Sequence, residues 1–146
     1  MSIQDEKQIR ELLAAREVAM SARDAEVLEA DVATDVVAFT LAPPLVQQPA
    51  DFTDVEQRRA WFAGFDGPIE YEIRDLEITV GGDVAYTHSL NRLSTTPKGM
   101  PAKFDLWFRS TVCLRRADGR WQITHVHEST PFYMDGTFRA ALDLTP

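Results

Sequence analysis

Cysteine is nearly absent from this sequence, since Cys113 is the only one among 146 residues. A single cysteine cannot form an internal disulfide, which fits a protein of a reducing compartment. Long apolar runs are also missing, because no stretch approaches the roughly 18 residues that a membrane-spanning helix needs. Residues 1–6 are mostly polar and acidic, which is not the pattern of a signal peptide. We therefore expect a cytoplasmic location.

Positive charge is scarce as well. Lysine and arginine number 15 against 23 aspartates and glutamates, which gives a formal net charge of −8. Nucleic-acid binding needs a basic patch that neutralises phosphates, and an anionic membrane surface attracts basic segments. We therefore expect no nucleic-acid partner and no membrane partner.

What is present is the composition of one globular domain. Apolar residues make up 45% and charged residues 26% of the chain, which are ordinary values, and the length suits a single core. We expect one domain over residues 1–146, with 131–146 as a C-terminal tail. The aromatic side chains of this tail fit a strap on the sheet, a lid over a pocket or an arm toward a partner.

Helical spacing comes first along the chain and strand alternation later. A first helix is predicted from Asp5 to about Ala22, capped by Ser2 or Asp5, with Arg16 on its apolar stripe. Short helices over 25–31 and after a cap at Thr53 enclose a short strand at 36–40. Four further strands are predicted at 69–80, 83–95, 103–116 and 120–130. This order predicts an α+β fold with the helices on one face of a curved antiparallel sheet.

The last hairpin decides which side chains meet. A three-residue turn centred on Asp118 would pair Arg116 with Arg120, Thr111 with His125 and Arg109 with His127. The histidines would then share a face with Trp121, and Val112, Leu114 and Val126 would share the other. Both faces are mixed in character, so we expect the helices to cover one of them and a partner subunit to cover the other.

The segment Gly119-Arg120-Trp121-Gln122-Ile123-Thr124-His125-Val126-His127-Glu128-Ser129, after a helical start and a glycine hairpin, resembles a known family. It is similar to the SnoaL-like, ketosteroid-isomerase-like branch of the nuclear transport factor 2 superfamily. The resemblance implies a cone in which a curved sheet wraps the long N-terminal helix and leaves a hydrophobic pocket at its open end. It also implies that the face of Trp121, His125 and His127 lines the cone, and that the face of Val112, Leu114 and Val126 forms a homodimer on the convex side. The implied ligand is a small apolar or carbonyl-containing molecule.

The resemblance does not carry over the isomerase residues. The tyrosine, the aspartate base and the protonated aspartic acid of that enzyme fall on Arg16, Thr40 and Thr111. A threonine hydroxyl cannot serve as a general base near neutral pH. We therefore expect acid–base chemistry, if present, to come from histidine, whose ordinary pKa suits proton transfer near neutrality. The candidates are His88, His125 and His127.

Several alternatives stay open beside the histidine hypothesis. Arg16 and Arg109 are candidates for a clamp on a substrate carbonyl or carboxylate, or for internal salt bridges. Asp105 with Arg109 could activate water as in an epoxide hydrolase, or Asp105 could act alone as a base. The chain could also be a non-catalytic ligand-binding or dimeric interaction domain.

The remaining pocket candidates are side chains expected on the histidine face. Tyr86 and Trp107 are predicted to line the pocket with Thr40 and Thr111. Three imidazoles would also suffice for a zinc site, but His-x-His spacing is a weak signal, so we predict no metal and no cofactor. If this pocket is an active site, we expect the protein to be an isomerase, cyclase or dehydratase that acts on an enolisable carbonyl.

Overall fold

The computed structural model describes residues 3–146 and shows an α+β cone. Its helices are α1 (Ile3–Ala22), α2 (Ala25–Ala30), α3 (Pro49–Phe52) and α4 (Val55–Phe62). Its strands are β1 (Val32–Phe39), β2 (Phe65–Gly81), β3 (Val84–Pro97), β4 (Phe104–Ala117) and β5 (Arg120–Ser129). The predicted fold class is confirmed. The predicted cap at Ser2 lies outside the described residues, and Asp5 lies inside the first turn of α1.

The five strands form one sheet in the order β1-β5-β4-β3-β2. Each of the four long strands, β2 to β5, pairs antiparallel with the strand next to it in the chain. Strand β1 pairs with β5 in parallel, so the sheet is mixed. The sheet bends at irregularities in the ladders, one in β2 around Asp75 and one between β4 and β5. This curvature lets the sheet wrap around α1.

Two apolar clusters fill the concave side of the sheet. In the first, Ile9 and Leu13 of α1 pack with Val112, Leu114 and Val126. In the second, Met20 and Leu28 pack against the far ends of β2, β3 and β4. The prediction that Val112, Leu114 and Val126 face a partner is therefore wrong, because they belong to the core under α1.

The sequence predicts three-residue turns centred on Asp118 and around Gly82, and both turns are one residue shorter in the structure. Asp118 and Gly119 alone form the last turn, both with positive φ (54° and 75°), which is the geometry of a two-residue type I′ turn. Ala117 therefore pairs with Arg120, not Arg116 with Arg120. The β2–β3 hairpin likewise turns on Gly82 and Asp83, with Gly81 opposite Val84.

A bulge in β5 then shifts the register a second time. Leu114 pairs with Ile123, but Cys113 pairs with His125, so Thr124 is the extra residue. Trp121 and Ile123 point into the core, whereas His125 and His127 point to the other side. The predicted common face of Trp121 and the histidines is therefore wrong.

Other boundaries differ in smaller ways. Asp54, not Thr53, caps α4, because its carboxylate accepts hydrogen bonds from the backbone N–H groups of Glu56 and Gln57 at 2.9 and 3.3 Å.

The tail beyond β5 folds back on itself. The Ala141 N–H donates to the Pro131 carbonyl at 2.7 Å, and the Ala141 side chain is buried. No helix in the described part of the chain has the length and apolarity to cross a membrane.

Candidate active site

The sequence-predicted histidines lie on the convex side of the sheet. We call this side the outer face; it carries, across β3, β4 and β5, Tyr86, His88, Trp107, Arg109, Thr111, His125 and His127. His88 and His127 flank Thr111 in one cross-strand row, and Cys113 lies between Tyr86 and His125 in the next. The three histidines do share a face, but it is not the lining of the cone.

Their contacts on this face are local. His125 Nδ1 lies 2.6 Å from the Val37 carbonyl oxygen, and the rings of His125 and His127 both meet Phe39 edge-on at 5.0 and 5.4 Å. In the described residues, no group of three or more histidine, cysteine or acidic side chains could hold a metal ion.

The predicted pair of Asp105 and Arg109 does not form. Asp105 accepts a hydrogen bond from Arg92 Nε at 2.6 Å, and Arg109 Nε donates to the Ser129 hydroxyl at 3.1 Å. Both side chains lie on the exposed outer face, where Trp107 is stacked against the Arg74 guanidinium. The pairing prediction is wrong because the neighbouring strands supply closer partners for each group.

An open cleft of about 590 Å³ lies where β1 and β5 end. The loop that follows β1 forms most of its wall, and the Gln47 amide ties this loop to the Thr40 hydroxyl at 3.1 Å. Thr40 and His127 are the two predicted site residues that line it, together with Glu128. The remaining lining is apolar: Phe39, Leu41, Ala42, Pro43, Pro44, Leu45 and Val46.

Glu128 connects this cleft with the interior of the cone. On the concave side of the sheet, which we call the inner face, Ser89, Ser110 and Glu128 form one row across β3, β4 and β5. Burial raises the pKa of the Glu128 carboxyl above its ordinary value, and the positive charges of Arg58 and Arg16 offset part of that rise. A carboxyl group of this kind can hold or release a proton nearer neutral pH than an exposed one.

A hydrogen-bonded chain of side chains continues from that row. The Ser89 hydroxyl donates to Asn91 Oδ1 at 2.6 Å, and the Asn91 amide donates to the Tyr71 oxygen at 2.8 Å. Burial raises the pKa of the Tyr71 phenol, and the nearby Glu128 adds to the rise. Tyr71 therefore keeps its proton, and no acceptor in the described residues takes it, so the phenol can donate to a bound oxygen.

Two arginines complete the interior. Arg58 Nε donates to Glu29 Oε1 at 3.0 Å, while Arg16 donates to the Leu28 carbonyl. Arg16 thus points into the domain, as its place on the apolar stripe of the first helix predicts. Burial lowers the pKa of the Arg16 guanidinium, and Glu29 opposes that effect. We call Arg16, Glu29, Arg58, Tyr71, Asn91 and Glu128 the interior cluster.

The sequence contains little signal for any member of the interior cluster. By strict alternation Glu128 shares its face of β5 with Gln122, Thr124 and Val126, so it does not stand out as a lone acid among apolar side chains. Arg58, Glu29 and Tyr71 come from three separate elements, so only the packing of α2, α4 and β2 brings them together.

The SnoaL-like domain family matches residues 9–133 of this chain. The chain belongs to the SnoaL-like family. An NTF2-like protein of unknown function from Pseudomonas putida is 32% identical, with a TM-score of 0.86 over 100% of this chain and 99% of that chain. A search of curated protein sequences gives no match.

Solved structures with lower sequence identity share the fold. A proposed scytalone dehydratase from Novosphingobium aromaticivorans has a TM-score of 0.73 at 15% identity and covers 99% of this chain and 95% of its own. A proposed ketosteroid isomerase from Shewanella frigidimarina has a TM-score of 0.63 at 21% identity, covering 82% and 92%. The predicted family is thus confirmed, and at these identities the two neighbours show the fold alone.

Proposed function

We propose that this SnoaL-like protein is an isomerase or dehydratase that moves a proton next to a carbonyl group of a small molecule. The observation that carries the proposal is Glu128, a desolvated carboxyl group that lines the cleft and also joins the interior cluster. Such groups are concentrated at catalytic sites. The dehydratase and isomerase descriptions of two structural neighbours support the same reaction class.

The residues of the cluster divide the chemistry between them. Glu128 takes a proton from the carbon beside the carbonyl, and returns it to another carbon or to a leaving hydroxyl. Tyr71, oriented by Asn91, donates a hydrogen bond to the carbonyl oxygen as negative charge develops there. Arg16 and Arg58 add positive potential to the same interior. His127 lines the cleft beside Glu128 and is the histidine best placed to assist.

Proton abstraction can be measured without knowing the natural substrate. We would incubate the protein in deuterated buffer with a panel of cyclic ketones and β-hydroxy ketones, and follow exchange beside the carbonyl by NMR. Glu128→Gln should lower the exchange rate by about a hundredfold to ten-thousandfold, the usual cost of losing a general base. Glu77→Gln, at an exposed carboxylate of β2, is the matched control and should leave the rate unchanged.

The same assay separates the carboxylate from the histidine. If His127→Gln abolishes exchange while Glu128→Gln keeps it, the base is the imidazole and the assignment of Glu128 is wrong. If the wild-type protein exchanges no member of the panel, the non-catalytic ligand-binding alternative is favoured.

A second candidate function is water activation of the epoxide-hydrolase kind. The pair that the sequence suggested, Asp105 with Arg109, is not formed, but Arg58 pairs with Glu29 in the interior and acts electrostatically on Glu128. Two carboxylates around one guanidinium could hold and deprotonate a water molecule. Adding cyclohexene oxide to the panel, in ¹⁸O-labelled water, tests this alternative directly.

A further inference from the structure

The loop after β1 forms most of the cleft wall but has little of its own to hold its shape. We call residues 40–46 the cleft loop; they belong to no helix or strand, and residues 41–46 are exposed. Pro43 and Pro44 carry no backbone N–H, so they cannot donate hydrogen bonds within the loop. Leu45 is 94% exposed and buries almost no apolar surface. The conformation of the cleft loop therefore depends on a group outside it.

The residue that supplies this support is Gln47. Its backbone N–H donates to the Ala38 carbonyl at 2.9 Å, which fixes the end of the loop to β1. Its side-chain Nε2 donates to the Thr40 hydroxyl at 3.1 Å. The same nitrogen lies 3.4 and 3.5 Å from the carbonyl oxygens of Pro43 and Ala42. Because a carbonyl oxygen can only accept, the amide nitrogen and not the amide oxygen must face the loop.

The cleft loop runs beside the proposed general base. The parallel ladder pairs Phe39 with His127, so the residues that follow, Thr40 and Leu41, pass next to Glu128 where both strands end. The backbone N–H of Leu41 acts as a hydrogen-bond donor to the Glu128 carboxyl. This donor favours the ionised form, so it lowers the pKa of the carboxyl and opposes the effect of burial.

A general base must be both ionised and aimed at the carbon that loses its proton. The Leu41 N–H can serve both needs, but only while the cleft loop keeps its conformation. A displacement of about 1 Å at a reacting group can cost about a hundredfold in rate. A side chain that holds the loop therefore affects the base without touching the substrate.

We propose that Gln47 is a positioning residue for Glu128: it holds the cleft loop so that the Leu41 N–H keeps the carboxylate aimed into the cleft. The effect on the reaction rate rests on the proposed function, whereas the placement of the carboxylate does not. The two parts are therefore tested by different measurements.

The first measurement is the deuterium-exchange assay with Gln47→Met, which keeps the length of the side chain and removes both N–H donors. Its kcat should fall by about tenfold to a hundredfold, because the carboxylate is no longer held in place. The acid limb of its pH–rate profile should also move to higher pH, since the carboxyl loses a donor that favours ionisation. Gln57→Met is the matched control and should change neither quantity, because that exposed amide donates to Asp51 on the surface.

The second measurement needs no substrate. The carboxyl ¹³C resonance of Glu128, identified by its loss in Glu128→Gln, would be followed by NMR between about pH 4 and about pH 8. Its titration midpoint should be higher in Gln47→Met than in wild type and unchanged in Gln57→Met. In wild type the Leu41 amide resonance should titrate with the same midpoint, because its N–H donates to that carboxyl.

Three results would overturn the proposal: an undiminished rate in Gln47→Met, a lower rate with an unmoved acid limb, or a Glu128 midpoint that stays at the wild-type value. If Gln47→Met does not fold, Thr40→Val replaces it, since it keeps the shape of the side chain and removes the hydroxyl that accepts from Gln47. The midpoint should again rise, and an unmoved midpoint in folded Thr40→Val contradicts the proposal.

The failure of the proposed function would look different. If the midpoint of Glu128 rises in Gln47→Met while wild-type protein exchanges no carbonyl compound, the positioning of the carboxylate by Gln47 stands and the proton-transfer function does not.

Discussion

At the scale of single residues, Glu128 shows how position decides what a side chain can do. It follows His127 directly in the chain, yet the two point to opposite sides of β5 and both reach the cleft because the strand ends there. The imidazole remains exposed, whereas the carboxyl group is surrounded by the cone. Burial in the cone raises the pKa of the Glu128 carboxyl group above its ordinary value.

The raised pKa of Glu128 has a consequence for stability. A carboxyl group whose pKa is higher in the folded than in the unfolded state binds more protons when folded, so the free energy of unfolding falls as pH rises above the ordinary value of 4.5. Glu128→Gln removes this penalty. Chemical unfolding at about pH 5 and about pH 8 should therefore show the variant gaining stability relative to wild type at the higher pH.

The exposed substitution Glu77→Gln is the control for that comparison, and its difference from wild type should stay nearly constant between the two pH values. If Glu128→Gln instead has a lower free energy of unfolding than wild type at about pH 8, the ionised carboxylate stabilises the fold through its attraction to Arg16 and Arg58.

At the scale of elements, α4 links local helix chemistry to the site. Asp54 accepts two backbone N–H groups at its start, and one turn later Arg58 pairs with Glu29 and lies over the rings of Phe52 and Trp61 at 5.7 Å. The helix is short, so its position depends strongly on this cap.

Asp54→Ala should lower the free energy of unfolding by about 1 kcal/mol, the usual cost of losing an N-cap. Asp54→Asn keeps an acceptor oxygen and should retain most of that stability. Urea unfolding of the three proteins measures both effects. Equal losses in the two variants would point to the charge of Asp54, rather than its hydrogen bonds, as the stabilising feature.

The elements also show what the sequence can and cannot predict. The spacing of Ile9, Leu13 and Met20 was enough to predict α1 and its buried stripe, including the inward direction of Arg16. Two-residue alternation predicted the positions of the hairpins. It could not predict that each turn is one residue shorter or that Thr124 is an extra residue, because a bulge has no reliable pattern in a single sequence.

These register errors account for the misplaced site. The family resemblance assigned the face of Trp121 to the interior, and strict alternation placed His125 and His127 on that same face. The bulge separates the two halves of the strand and brings Val126 and Glu128 inward instead. The interior cluster could not be predicted from the sequence for another reason, because it depends on tertiary contacts among elements that are far apart in the chain.

At the scale of the whole molecule, the outer face leaves apolar surface uncovered. Val37, Val84 and Tyr86 are 44%, 61% and 51% exposed there, on the same side of the sheet as the histidines and Thr111. The family resemblance implies a dimer through the convex sheet, and we propose that a second copy covers this face. Its apolar centre and polar surroundings fit a protein interface.

Light scattering at micromolar concentration should then give about 33 kDa, twice the 16.5 kDa of one chain. Tyr86→Glu should shift the mass toward that of one chain, because a charge would be buried in the interface. Val18→Glu, at an exposed valine of α1, is the matched control and should leave the dimer intact. A wild-type mass near 16.5 kDa would refute the dimer.

The extra residue at Thr124 makes the backbone path a determinant of chemistry in β5. If the strand kept Thr124 but lost the bulge, strict alternation from Trp121 and Ile123 in the core would turn Glu128 to the outside and bring His125 and His127 inward. A carboxylate-lined chamber would become an imidazole-lined one without a single substitution. Divergence within such a fold can therefore proceed by gain or loss of a bulge as well as by replacement. Comparisons of relatives that ignore the bulge would align the wrong side chains at the reacting centre.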